Sequence, residues 1–139
     1  MSNVDPAWQE FTLPGFGLRL HYPTSASDGD PVRMDDARFH FRTMSSPEIY
    51  FEVSRHLGRG AREFYEREAA AIRRADPHVT ISEPVDTSFA GSDALRFVVT
   101  FTDRERAFTL VERGGYLYRV IYDPRSAVNL DIMATIEFT

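Results

Sequence analysis

The chain has 139 residues, 42% of them hydrophobic and 27% charged, the length and composition of one ordinary soluble domain. It contains no cysteine, which excludes disulfides, thiolate zinc sites, iron–sulfur clusters and a cysteine nucleophile. All 16 basic residues are arginine and the formal charge is −5. Lysine chemistry is therefore absent, and nonspecific binding to nucleic acid or an anionic membrane is disfavoured, because both need a positive field.

Residues 1–9 carry Asp5, Pro6 and Trp8 and no basic residue followed by an apolar run, so no secretory signal or membrane anchor is expected there. No segment approaches the roughly 18 apolar residues of a membrane helix, and a cytoplasmic location is expected. Alternation predicts two short strands, 11–13 and 18–22, around the turn Pro14-Gly15-Phe16-Gly17. Residues 24–36, rich in Ser, Asp, Gly and Pro, read as a solvated loop. Residues 37–43 place Phe39 and Phe41 opposite Arg38, His40 and Arg42, and 49–53 repeat the alternation, with a hairpin loop at 44–48 between them.

The period changes after Gly58 and Gly60. Over 61–75 the apolar residues Ala61, Phe64, Tyr65, Ala69, Ile72 and Ala75 recur every three or four positions, and Glu63 with Arg67 and Arg62 with Glu66 sit four apart on the wet side. A helix is predicted, ended by Asp76-Pro77. Period two returns for strands at 79–85, 95–101, 107–111 and 116–122. The last two are joined by Gly114-Gly115, which tolerates the positive φ of a tight hairpin. A shorter helix over 126–135, with Ser126 placed to cap it, leads into Ile136-Glu137-Phe138. The expectation is one α+β domain over 1–139, an antiparallel sheet of six to eight strands with helices packed on it.

This order resembles the PsbP-like superfamily. The residues that carry the likeness are Leu18-Arg19-Leu20-His21-Tyr22-Pro23, the helix at 61–75, Phe89-Ala90-Gly91-Ser92-Asp93-Ala94-Leu95-Arg96-Phe97, Gly115-Tyr116-Leu117-Tyr118 and the closing Ile136-Glu137-Phe138. The resemblance implies an antiparallel sheet sandwiched between helices and a family whose characterised members mostly bind other proteins. It supports fold more than function.

The chemical motifs are sparse. The four histidines, His21, His40, His56 and His78, form no HExxH and no His-x-x-x-His pair, so neither a metal nor any other cofactor is expected. Asp28, Asp30, Asp35 and Asp36 fail the EF-hand order, Gly58-Arg59-Gly60 lacks the rest of a nucleotide loop, and no Gly-x-Ser-x-Gly is present. Glu68 approaches the apolar side of its helix, and a salt-bridged surface helix is the default reading for its carboxylates. Arg19, His21, Arg38, His40 and Arg42 share the polar side of two strands that, if neighbours, would build a basic patch able to grip a partner's carboxylates. Acidic side chains of the fold could instead neutralise it. The expected function is a non-enzymatic protein-binding module, bacterial by its arginine-only basic set. The alternative is a small-molecule-binding or hydrolytic domain with a pocket between the sheet and the 24–36 loop.

Overall fold

The computed structural model describes residues 8–13, 17–23, 32–35, 38–42, 50–57 and 60–138. In chain order they form β1 (Trp8–Leu13), β2 (Leu18–Pro23), β3 (Val32–Asp35), β4 (Arg38–Arg42), β5 (Tyr50–Leu57), α1 (Ala61–Ala75), β6 (Thr80–Ile81), β7 (Val85–Phe89), β8 (Ser92–Thr100), β9 (Glu105–Arg113), β10 (Tyr116–Tyr122), α2 (Ala127–Thr135) and β11 (Glu137–Phe138). The expected turn at 14–16, loop residues 24–31, the hairpin loop at 44–48 and the helix entry Gly58-Arg59 lie outside the described residues.

Every pairing among these strands is antiparallel. Eight strands form one sheet in the order β3-β4-β5-β10-β9-β8-β6, with β7 also paired to β8, and β1, β2 and β11 form a second sheet with β2 in the middle. Because strand side chains alternate, each long central strand serves two cores. Leu95, Phe97, Val99, Phe108, Leu110, Leu117 and Ile121 pack under Phe64 of α1. Ala94, Ala107, Val111, Tyr118, Val120 and Tyr122 pack against Leu18 and Leu20 of β2 and Ile132 and Ile136 at the α2 end. The large sheet is thus sandwiched as expected, but on the second side α2 shares its layer with the three-stranded sheet.

Helix α1 occupies the predicted residues. Phe64 and Ala69 are its buried members, while Glu63 in the first turn and Arg73 and Arg74 in the last complement the helix dipole. Its N-cap, Gly60, makes no side-chain cap bond, and the last turn closes through the Asp76 N–H on the Ile72 carbonyl. Helix α2 is capped by Ser126, whose Oγ accepts from the Asn129 N–H at 3.3 Å. The final residue of α2 ties it to β2: Thr135 Oγ1 accepts the His21 N–H at 2.8 Å.

Two local expectations are corrected, and one strand was not anticipated. Val32–Asp35, read as loop, is strand β3, since pairing with β4 supplies the backbone partners that its composition does not advertise. The strand expected over 79–85 is only Thr80–Ile81, because Pro84 interrupts it. Val85–Phe89 then starts a new strand, β7, joined to β8 by a two-residue turn in which Ala90 (φ 51°) and Gly91 (φ 80°) are both left-handed.

Candidate functional site

The five residues expected to form one basic patch fall on two sheets. β2, with Arg19 and His21, lies between β1 and β11, whereas β4, with Arg38, His40 and Arg42, lies between β3 and β5. The condition for a single patch, that the two strands are neighbours, is therefore not met. Leu18 and Leu20 are almost fully buried against the large sheet, so β2 belongs to the layer that covers that sheet and cannot be one of its strands.

On the small sheet the basic residues meet acids. Arg19 donates from Nε (3.1 Å) and Nη2 (2.5 Å) to Glu137 Oε2. That hydrogen bond, and then the partner's opposite charge, hold the Glu137 carboxyl below its ordinary range and raise Arg19 above its own. His21 Nε2 lies 3.4 Å from Glu10 Oε2 on β1. Two carboxylates thus flank one guanidinium and one imidazole, and this face is not a basic patch.

On the large sheet, Arg38, His40 and Arg42 stand in register with Ser54, Glu52 and Tyr50 of β5. The next strand continues two of these rows with Arg119 and Ile121 of β10, and Ile121 belongs to the α1 core. There Arg119, largely buried, donates to Glu68 Oε1 of α1 at 2.6 Å and lies 5.9 Å from the Phe64 ring, which is 4.9 Å from the His56 ring. The sequence reading did not single out Arg119, although alternation places it on one face with Leu117 and Ile121. Glu68 is bound to the sheet here, where a surface pair along the helix was the default expectation.

A feature that the sequence did not announce lies at the N-terminal end of α1. A cleft of about 710 Å³ opens between the start of the helix and the strands β7, β8 and β9. Ala94, Leu95 and Leu110 form its apolar wall, and Glu63, Asp86, Asp93 and Glu112 outnumber Arg62 and Arg113 among its charged residues. Arg62 is 3.3 Å from Asp86, and Arg113 donates to Ser92 Oγ at 3.1 Å. With carboxylates around it, the helix start is a poor anion cradle despite its N–H groups. Across β7, on the α2 side, a second cleft of about 350 Å³ is lined by Phe89, Leu130, Met133 and Ile136 together with Thr87 and Arg96.

Among the described residues no group of three or more His, Asp or Glu could hold a metal ion, and no helix is long and apolar enough to cross a membrane. The 24–36 loop, where a ligand pocket was the alternative expectation, is described only at β3.

The chain has a PsbP-like fold. It superposes on the solution structure of cyanobacterial PsbP (CyanoP) from Synechocystis sp. PCC 6803 with a TM-score of 0.66 at 12% identity, covering 100% of this chain and 97% of that one. A crystal structure from Bacteroides thetaiotaomicron matches with a TM-score of 0.59 at 12% identity, covering 96% of this chain and 49% of that one, so the chain spans about half its length. No protein-family model matches the chain. No curated protein matches it by sequence. At this identity the likeness describes the fold alone.

Proposed function

We propose that this protein is a non-enzymatic module that binds another protein, in the cytoplasm of a bacterium. The observation that carries the reading is the open cleft between α1 and β7–β9. Its volume suits a ligand, but its two guanidiniums are engaged within the protein, Arg62 with Asp86 and Arg113 with Ser92. Guanidiniums already engaged at a surface, beside carboxylates and an apolar wall, suit a docking groove better than a site that must orient a small substrate. The PsbP-like fold agrees with this reading through analogy only.

The same reading assigns Arg38, His40 and Arg42 of β4 to a second contact, with acidic groups of the partner. Arg19 and His21 leave the proposed surface, because Glu137 and Glu10 already answer them.

The test is affinity capture on the immobilised chain, with wild type beside the double variant Glu63→Arg, Glu112→Arg. A protein retained in stoichiometric amount by wild type and lost from the variant supports the module. A small molecule held in the cleft, seen by native mass spectrometry of the protein purified from its source cells, contradicts it.

A further inference from the structure

We propose that the outer edge of β7 accepts an extended segment of another protein as an added strand, with basic side chains on the α1 side and apolar side chains on the α2 side. This inference rests on the protein-binding reading and names the form and chemistry of the segment bound.

Three observations converge on β7. The first is the edge itself. β6 and β7 both pair with β8, opposite β9, and among the described residues no strand pairs with the outer side of either. Between them the chain closes its own backbone: the Ser82 N–H donates to the Val98 carbonyl (2.9 Å), Ser82 Oγ accepts the Val98 N–H (2.8 Å), and Tyr65 Oη donates to the Ser82 carbonyl (3.2 Å). From Val85 onward the edge is open. Val85 to Ser88 are exposed, and the register on β8 runs through five pairs without a bulge. An edge of unpaired N–H and C=O groups is a template for another strand unless charged side chains, a proline, a bulge or a covering element blunts it; Pro84 precedes β7, and Asp86 is its one charged residue.

The second observation is that a cleft flanks β7 on each face. Asp86 pairs with Leu95, a member of the α1 core, and lines the larger cleft. Thr87 pairs with Ala94, a member of the other core, and lines the smaller one. A strand laid beside β7 continues the same alternation, so its successive side chains meet the two clefts in turn. Main-chain bonds then supply affinity and alternate side chains supply specificity.

The third observation is chemical asymmetry between the clefts. On the α1 side four carboxylates face two guanidiniums, both already engaged. On the α2 side Phe89, Leu130, Met133 and Ile136 dominate, and the described chain's two exposed large hydrophobics, Val85 and Leu130, both border this edge. The same charge count excludes a second copy as occupant, since an edge-to-edge dimer would set carboxylates against carboxylates in a chain of net charge −5.

The experiment is calorimetric titration of the full chain, at low salt, with a capped eight-residue peptide alternating arginine and valine. Two N-methylated versions accompany it, one methylated on every arginine amide and one on every valine amide. An added strand turns alternate amides toward β7, so one methylated peptide loses binding and the other keeps it. The double variant Asp86→Arg, Glu112→Arg weakens the unmethylated peptide at least tenfold while its melting temperature stays near wild type, because both residues are exposed. A glutamate–valine peptide binds at least tenfold more weakly. The proposal is overturned by equal binding of the two methylated peptides, by equal binding of a peptide with the arginines and valines in separate blocks, by no detectable heat with the alternating peptide, or by a sedimenting dimer that Asp86→Arg dissociates. A protein partner that binds the double variant as tightly as wild type overturns the edge and leaves the module reading standing.

Discussion

Arg119 of β10 and Glu68 of α1 meet at 2.6 Å across 51 positions of sequence, and their contact fastens the long helix to the centre of the large sheet. Both side chains are largely buried, so removing Arg119 leaves the Glu68 carboxylate desolvated without its guanidinium. Arg119→Met is expected to cost about 1–3 kcal/mol. Arg119→Met combined with Glu68→Leu is expected to cost less than the two single changes added together, since no charge is left stranded. Urea denaturation of the four proteins of this cycle checks it; additive losses would show that the two residues act independently.

The Arg19–Glu137 contact predicts a pH dependence. Arg19 lowers the Glu137 carboxyl below its ordinary value, so the contribution is present above the unfolded carboxylate range, near about pH 4.3, and is lost as pH falls through the lower folded value. Glu137→Gln is therefore expected to lower the melting temperature at neutral pH, by an amount that shrinks toward zero in strong acid. Melting curves of both proteins across that range check it. A difference that stays constant with pH would mean that the glutamine disturbs β11 for another reason.

The turn after β7 stores strain that a substitution can relieve. Ala90 sits at φ 51°, where an alanine Cβ crowds the backbone, while asparagine tolerates that region and is favoured in two-residue hairpins. Ala90→Asn is expected to stabilise the fold by about 0.5–1 kcal/mol, read as a higher denaturation midpoint with unchanged slope. A lower midpoint would show that the partly buried methyl group matters more than the strain.

What the sequence revealed and what it hid divide along sequence distance. Helix α1, the strand pair around Gly114-Gly115 and the Ser126 cap rest on local periods and turn chemistry, and each was legible at its own residues. β7 was not: Val85-Asp86-Thr87-Ser88 is an exposed edge with no apolar alternation, and only its partner β8 makes it a strand. Nor could the sequence show that Arg19 pairs with β11, 118 positions away, and not with a residue of β4. Alternation assigned the faces of β2 and β4 separately but carried no information on which sheet each strand joins. The cleft residues Glu63, Asp86, Asp93 and Glu112 come from three strands and a helix, and read singly each was an ordinary solvated carboxylate.

β7 is the open edge on which the proposed binding depends, and amide hydrogen exchange resolved by residue tests this directly. In the free protein alternate amides of residues 85–89 should exchange fast, because their N–H groups point away from β8, while the intervening ones are protected. Saturating arginine–valine peptide is predicted to slow those fast amides at least tenfold, with little change across β1 and β2. Unchanged exchange at 85–89 together with new protection elsewhere on the chain would contradict the account.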